Sequence, residues 1–352
     1  MPTPTAVRLA QADDRPPATA DRDQQLTDAM RQVDHHLGPG VVTHPDPSMI
    51  QAAVPTGSLP VDLAIGVGGI PRGRITEIYG PEGAGKTTLA LSVIAQAQRA
   101  GGTACFVDAE HALDLAWAAT VGVDPDRLVI CRPECGEQAL QVADLLVGSG
   151  ALDVLVVDSV AALVPRAELD GAIGDRHAGV QANLLSQALR RLCGQIARAG
   201  VAVLVTNQLR ERAGTPGAPT YTAGGRALGY YASVRLDLRL LETLRDGDRV
   251  LGSRVRVTVT KNKVAPAWQT ADLDVLADRG ISFEAGLLDL GVHAGLVSRS
   301  GGWYAYGEVR LGQGRAHASR SLAEQPEVAH ELEARLRARL GPADPTAQAA
   351  TA

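Results

Sequence analysis

The sequence predicts an α/β protein built on a mostly parallel central sheet, with a lone helix ahead of that core and a small α+β domain behind it. Three observations lead there. From Gly57 to about Glu284, short apolar runs alternate with helical periodicity, the rhythm of βαβ units. One glycine-rich string lies between such a run and a helix, the place where open α/β sheets hold phosphates. After Gly224 the texture changes to alternation, which marks strands with one face exposed.

Taken in order, residues 1–20 are rich in Pro, Thr, Ala and Asp, cannot build a core, and are expected to be disordered. From Asp21 the apolar positions Leu26, Met30, Val33 and Leu37 recur at helical spacing until Gly38-Pro39-Gly40 stops them. A helix alone cannot bury such a stripe, so it must dock on the rest of the chain or on another subunit. Residues 41–56, with three prolines, read as a linker. In the core, 57–284, strands are expected at Ile75–Tyr79, Thr103–Asp108, Leu128–Cys131, Val154–Asp158 and Val201–Asn207. A helix starting at Lys86 carries Leu89, Val93, Ile94 and Ala97 on one face. Val234, Leu236, Leu238 and Leu240, then Val255, Val257 and Val259, then Leu273 to Leu276 extend the sheet as antiparallel strands. The small domain, 285–340, closes with a helix striped by Val328, Leu332, Leu336 and Leu340, and 341–352 is a tail whose one acid is Asp344.

At 352 residues, 45% apolar and 21% charged, the chain can bury a sizeable core, which argues against wholesale disorder. It has no run of 18 uncharged apolar residues and no apolar stretch near its start to serve as a signal peptide, so a cytoplasmic protein without a membrane role is expected. Four cysteines are too few for a disulfide framework. Cys131 and Cys135 are spaced C-x3-C with no second pair, which favours free thiols over zinc. A net charge of −5 excludes a protein that is basic all over, but a local groove of Arg and Lys can still hold nucleic acid.

The strongest chemical signal is Gly80-Pro81-Glu82-Gly83-Ala84-Gly85-Lys86-Thr87, followed by Thr88. Directly after a strand and before a helix, it is a complete phosphate loop for ATP. Backbone N–H groups curl around the phosphates, Lys86 supplies a point charge, and the Thr87 hydroxyl ligates Mg²⁺. Val154 to Asp158 is an apolar strand ending in an acid, the Walker B pattern, which places the Asp158 carboxylate on the metal shell beside Thr87. Glu110 emerges at the same carboxyl edge, where hydrolysis needs a base to orient water; the plainer reading is that Asp108, Glu110 and His111 cap the next helix. Gln208, leaving the strand that ends at Asn207, can report the γ-phosphate, or be an ordinary polar strand end. Lys261-Asn262-Lys263 either neutralises phosphate or is a solvated strand end. The segments 166–180 and 210–226 are glycine-rich, charged and poor in apolar residues, as mobile loops are. Arg166, Arg176, Arg210, Arg212 and Arg226 give them phosphate-binding capacity, which Glu168, Asp170, Asp175 and Glu211 temper.

Beyond these motifs, the strings Thr56 to Asp62, Gly80 to Thr88, Asp108 to Asp114, Gly136 to Leu140 and Val157 to Pro165 occur in a telling order. They are followed by Asn207-Gln208, Tyr231 to Arg235, Lys261 to Pro266 and Leu287 to Gly291. Together they resemble the bacterial RecA recombinases over about residues 22–340. The resemblance implies a RecA-type P-loop ATPase that polymerises on single-stranded DNA, with ATP between neighbouring subunits, and pairs that strand with homologous duplex DNA. It also implies stimulation of LexA-type repressor self-cleavage in the SOS response. By position it gives Lys86 and Thr87 the phosphate and Mg²⁺, Asp158 the metal, Glu110 the water, and Gln208 the link from γ-phosphate to the second DNA loop. Lys261 and Lys263 would reach a neighbour's ATP, and Asp114 and Trp117 would contact adenine. The two loops, with Tyr221, Gly224 and Gly225 in the second, would bind DNA, and the helix from Asp21 would dock subunits.

Departures from the family pattern lie mostly in the DNA loops. Gly83-Ala84 stands where Ser-Ser is usual, Ala178 where Met is usual and Asn183 where Arg is common. The second loop is one residue short and lacks its usual Phe, leaving Tyr221 as its only aromatic. Ala277 replaces an aromatic near adenine, Gly229 a Lys, and the acidic tail is reduced to Asp344. An alternative is therefore a divergent paralogue that modulates another recombinase's filament, or signals, without efficient strand exchange. A hexameric helicase or clock-type ATPase is disfavoured by Lys261-Asn262-Lys263 and the small C-terminal domain.

Overall fold

The computed structural model describes residues 17–43, 52–172, 175, 177, 179–210 and 221–341. They belong to two units, Met1–Ile50 and Gln51–Ala352. In the first, helix α1 spans Pro17–Leu37. It starts four residues before the expected Asp21, so 17–20 are helical rather than disordered; the fixed φ of Pro17 suits a first helical position, and Ala18 and Ala20 favour helix. The rest of the expected disordered N-terminus, 1–16, and the tail from 342 lie outside the described residues. Gly38, at φ +97°, ends the helix by donating its N–H to the Asp34 carbonyl at 3.0 Å. Leu26 and Leu37 on its stripe are exposed.

The second unit opens with β1 (Ala53–Val54), α2 (Leu59–Ile65) and β2 (Ile70–Pro71), the two strands pairing antiparallel. Next come β3 (Ile75–Gly80), α3 (Lys86–Arg99), β4 (Ala104–Asp108), α4 (Leu115–Val121), β5 (Leu128–Cys131) and α5 (Gly136–Gly148). β6 (Val154–Asp158), α6 (Arg166–Leu169), α7 (Val180–Ala199), β7 (Ala202–Arg210), β8 (Tyr221–Thr222) and α8 (Ala227–Tyr231) follow. The sheet is completed by β9 (Val234–Asp246), β10 (Arg249–Asn262), β11 (Thr270–Leu276) and β12 (Gly280–Ile281). Its spatial order is β12-β11-β10-β9-β3-β7-β6-β4-β5, with β8 on β7.

From β9 to β5 the strands run parallel, and β10, β11 and β12 are antiparallel additions. Thus β9, expected to be antiparallel to its neighbours, is parallel to β3 and antiparallel only to β10. β3 pairs only its residues Val234–Asp237, which is why Leu240, expected on the buried face, lies beyond the covered stretch and is 54% exposed. β7 runs on to Arg210, past the expected Asn207, because β8 pairs with Leu209 and Arg210. Within the segment read as a loop from Arg166, the first four residues form the short helix α6.

Two apolar clusters cover the two faces of the sheet. One joins Ile78, Phe106, Val156, Leu204 and Leu236 to Leu89, Val93, Ile94 and Ala97 of α3. The other joins Cys105, Val107, Leu155, Val157 and Val203 to Ala139 of α5 and to Leu185, Leu189, Leu192 and Ile196 of α7. Burial on both faces explains why Val154 to Val157 is uninterruptedly apolar.

The chain ends in α9 (Phe283–His293), a three-stranded antiparallel sheet of β13 (Val297–Ser300), β14 (Trp303–Tyr306) and β15 (Val309–Gln313), then α10 (Arg315–Glu324) and α11 (Pro326–Leu340). Leu287, Leu288, Tyr304, Leu311, Leu322, Leu332 and Leu336 form its core together with Leu59 of α2. On α11, Ala329, Leu332 and Leu336 are buried and Leu340 is exposed. Steps of four residues advance about 400° around a helix, so the expected stripe from Val328 to Leu340 drifts off the buried face. All four cysteines are free thiols, and no helix among the described residues is long and apolar enough to cross a membrane.

One buried carboxyl on α2 makes stability pH-dependent. Asp62 accepts hydrogen bonds from the Thr56 N–H (2.8 Å) and hydroxyl (2.7 Å). Burial pushes its pKa up to about 7; Thr56 and Arg337 oppose this, and Glu333 reinforces it. The folded state therefore holds the proton more tightly than the unfolded chain, and stability falls as pH rises from about 4 through 7. Thermal melts between pH 5 and pH 8 should show a steeper loss for the parent than for Asp62→Asn; equal slopes would dismiss Asp62 as the source.

Candidate active site

β3 delivers the chain to Gly80 at the carboxyl edge of the sheet, packed so closely on β9 that a Cβ there would lie 2.3 Å from the Leu238 carbonyl oxygen. The turn then uses positive φ at Gly83 (+70°) and Gly85 (+82°) before α3 begins at Lys86. Free N–H groups of that helix start face the turn. Lys86 folds its ammonium onto the loop, donating to the carbonyls of Gly80 (3.2 Å) and Pro81 (2.7 Å). Burial pushes its pKa down, against the attraction of Asp158, Glu110 and Glu82. Glu82, Gly83, Gly85, Lys86, Thr87 and Thr88 line one side of a cleft of about 450 Å³; Glu110, Asp158, Gln208, Ser253 and Val275 complete it. Ala84 is buried beneath the loop.

At the end of β6, Asp158 accepts the Thr87 hydroxyl at 2.6 Å and, on its other oxygen, the Thr206 hydroxyl. Burial pushes its carboxyl above the usual range, while these two donors pull it back. Asp108 accepts the N–H groups of Ala112 (3.0 Å) and Leu113 (3.3 Å). It therefore caps the turn, whereas Glu110 does not; the Glu110 carboxylate enters the cleft. Its Oε1 accepts the Ser159 hydroxyl at 2.5 Å and the Gln208 amide at 3.3 Å. Strand register brings Gln208 there, because it pairs with Gly80 across β7 and β3. Asp114 caps α4 through the N–H groups of Ala116 (2.8 Å) and Trp117 (3.1 Å), and the Trp117 indole N–H donates to Thr88 at 3.3 Å.

Lys86, Thr87, Glu110, Asp158 and Gln208 are thus brought together. Lys261 and Lys263 are not: Lys261 pairs with Arg235 on β9, which pairs in turn with Glu77 on β3, short of the loop. Its ammonium donates to the carbonyls of Gly229 (2.7 Å) and Tyr230 (3.0 Å).

Of the DNA-loop candidates, Arg176, Arg212 and Ala178 lie outside the described residues, as does the side chain of Arg210. Arg166 is tied down: its N–H donates to Glu137 at 2.9 Å and its guanidinium to the Cys135 sulfur at 3.5 Å. Tyr221 and Arg226 are exposed. Gly224 and Gly225 take φ of +76° and +74°, and a Cβ on Gly224 would lie 2.6 Å from Val160. Tyr221, Arg226, Tyr230, Arg239 and Tyr79 line a second cleft of about 560 Å³.

Sequence reasoning missed Ser253 and Val275 in the first cleft, Thr206 and Ser159 bonded to its acids from below, and Tyr79, Tyr230 and Arg239 in the second. Thr206 and Ser159 adjoin residues already singled out, a signal that was there to use. Ser253 and Val275 arrive through strand register, which apolar alternation does not reveal.

A glycine turn between a central parallel strand and a helix, its threonine bonded to the acid that closes a nearby parallel strand, is the architecture of the P-loop nucleotide hydrolases, and the chain is of that class. The family model described as the RecA N-terminal domain matches residues 24–282, and that of the RecA C-terminal domain matches 285–341. Protein RecA of Frankia casuarinae is 51% identical over 327 residues, covering 92% of this chain and 95% of that one. Protein RecA of Leifsonia xyli is 52% identical over 337 residues (95% and 94%), and that of Rhodococcus opacus 51% over 337 (95% and 97%). The chain belongs to the RecA family. It is a DNA-dependent ATPase of recombination and repair, and similarity along nearly the whole of each chain leaves the modulator reading unfavoured.

Proposed function

We propose that the chain hydrolyses ATP in the Lys86–Glu110 cleft as a filament on single-stranded DNA and uses that filament to pair the strand with homologous duplex. The observation that carries this reading is the Glu110 carboxylate facing the phosphate loop across one cleft, with Gln208 bonded to it. Lys86 would leave the Gly80 and Pro81 carbonyls for phosphate oxygens. The loop fits such an anion, since nothing lies within 4 Å of a Cβ built on Gly83.

Thr87 and Asp158 offer hard oxygen donors suited to Mg²⁺. Among the described residues no group of three or more His, Cys, Asp or Glu is placed to hold a metal ion, so a Mg²⁺ ion would draw its remaining oxygens from phosphate and water. When bound, that ion would neutralise charge on the transferring phosphoryl group. Glu110 would take the proton of the attacking water. Gln208 can exchange its bond to Glu110 for one to the γ-phosphate, and β7 runs from it towards the second loop. Asp114 and Trp117 flank the adenine end, Trp117 being held against Thr88.

For DNA, Arg166, Arg210 and Arg226 would contact phosphates with Arg176 and Arg212, while Gly224 and Gly225 let the backbone turn close by. Tyr221 is the candidate wedge; Tyr230, Tyr79 and Arg239 share its cleft. Pairing with duplex DNA, stimulation of a LexA-type repressor and a cytoplasmic location follow from the family alone.

The direct test is ATP hydrolysis with and without single-stranded DNA, joined to salt titrations and strand exchange. Arg226→Ala should weaken binding to all sequences and reduce the slope of log affinity against log salt by about 0.7, the share of one phosphate contact. Tyr221→Ala should slow strand exchange much more than it weakens single-strand binding, since a base contact of this kind is worth about 1–3 kcal/mol and a wedge must fill the vacated stack. Exchange at the parent rate would remove Tyr221 as the wedge, and hydrolysis indifferent to DNA would overturn the filament reading.

A further inference from the structure

We infer that Ser159 is a positioning residue for hydrolysis, holding the Glu110 carboxylate by one oxygen so that the other is presented to the attacking water. The inference rests on the reading of Glu110 as the base.

Ser159 directly follows Asp158 at the carboxyl end of β6 and is 1% exposed. It stands at the start of a short 3₁₀ turn, Val160–Ala162, yet its side chain makes no capping hydrogen bond there. Its single hydroxyl proton goes instead to Glu110 Oε1 at 2.5 Å. The Gln208 amide donates to that same oxygen at 3.3 Å, while Oε2 carries no hydrogen bond among the described residues. The main chain of Glu110 is held from the same place, since the N–H groups of Ala109 (2.9 Å) and Glu110 (3.3 Å) donate to the Asp158 carbonyl.

Backbone and carboxylate are therefore both referred to the Asp158–Ser159 pair, whose first member holds Thr87. A base on an exposed turn would otherwise sample several rotamers, few of which point at an in-line water. The two donors also differ in permanence. Gln208 is the one the proposed function calls away to the γ-phosphate, whereas Ser159, buried just past the end of β6, stays. Ser159 thus keeps Glu110 aimed during the step in which Gln208 leaves it.

The test uses the full chain with ATP, Mg²⁺ and single-stranded DNA, comparing Ser159→Ala, Ser159→Cys and Glu110→Gln. Ser159→Ala should lower kcat about tenfold, as loss of a hydrogen bond to a charged group does, with KM for ATP and DNA affinity within about twofold of the parent. Ser159→Cys, a weaker donor of similar size, should fall between, and carries the same comparison if the alanine variant fails to fold. Parent-like kcat in both serine variants, with Glu110→Gln inactive, would overturn the role of Ser159 and leave Glu110 as the base. Loss of kcat accompanied by raised KM and weakened DNA binding would make Ser159 a structural residue only. An active Glu110→Gln would remove the base itself and the positioning role with it.

Discussion

Glu110→Ala is expected to lower ATP turnover by roughly 10²–10⁴-fold while nucleotide binding stays near the parent value, whereas Lys86→Ala should weaken binding and turnover together. The difference follows from where the two side chains sit. Lys86 emerges from the first residue of α3 and already spends its protons on loop carbonyls, which are the nearest acceptors until phosphate oxygens arrive. It would contact phosphate both before and during the reaction, so its loss affects ground state and transition state alike. Glu110 makes no bond to the phosphate loop; its partners are Ser159 and Gln208 across the cleft. It has work to do only when a proton moves. Equilibrium nucleotide binding and single-turnover hydrolysis for both variants check this. Parent-like turnover by Glu110→Ala would take it out of the chemistry, and unchanged binding by Lys86→Ala would mean the loop holds phosphate without its lysine.

How much of this could be read from the sequence depended on whether a signal was local. β5 and β6 begin and end where expected because each is an unbroken apolar run; β6, buried on both faces, is closed by Asp158, while β5 is the sheet's edge strand. The phosphate loop announces itself through glycines at positions that need positive φ. Glu110 was legible as a candidate but not as a choice, since only the hydrogen bonds of Asp108 separate the capping acid from the one in the cleft. β9 was misread because alternation reports an exposed face and not a strand's direction relative to its neighbours. Ser253 and Val275 come from antiparallel strands whose pairing includes register shifts near Leu251, Val255 and Thr260, and no local pattern encodes those. Ser159 and Thr206 are single hydroxyls beside stronger landmarks, with no periodicity to mark them as partners of an acid.

Lys261→Ala and Lys263→Ala are expected to leave the subunit folded and to abolish DNA-stimulated ATP hydrolysis. Both lysines stand at one end of β10, whose other end contributes Ser253 to this chain's own nucleotide cleft. Eight residues of strand separate Ser253 from Lys261, roughly 26 Å at about 3.3 Å per residue. Neither ammonium can therefore serve the cleft that the same strand lines. Burial pushes the Lys261 pKa down, and the nearby charges of Lys263 and Arg235 push it further, with Glu77 the opposing acid. A cationic cluster of this kind would gain most from an incoming polyanion, and the family resemblance would make that the ATP of the next subunit in a head-to-tail filament. A site shared in this way makes a complementation result that no single-subunit site could give. Subunits carrying Lys261→Ala keep Lys86, and subunits carrying Lys86→Ala keep Lys261, so a junction of the two in the right order is a complete site. Random one-to-one mixing should complete about a quarter of the junctions and restore a corresponding fraction of DNA-stimulated hydrolysis, although each variant alone is inactive. Energy transfer between labelled subunits establishes that mixed filaments form. With mixing so demonstrated, hydrolysis that stays absent at every ratio would place the lysines outside any neighbour's site and return them to the role of a solvated strand end.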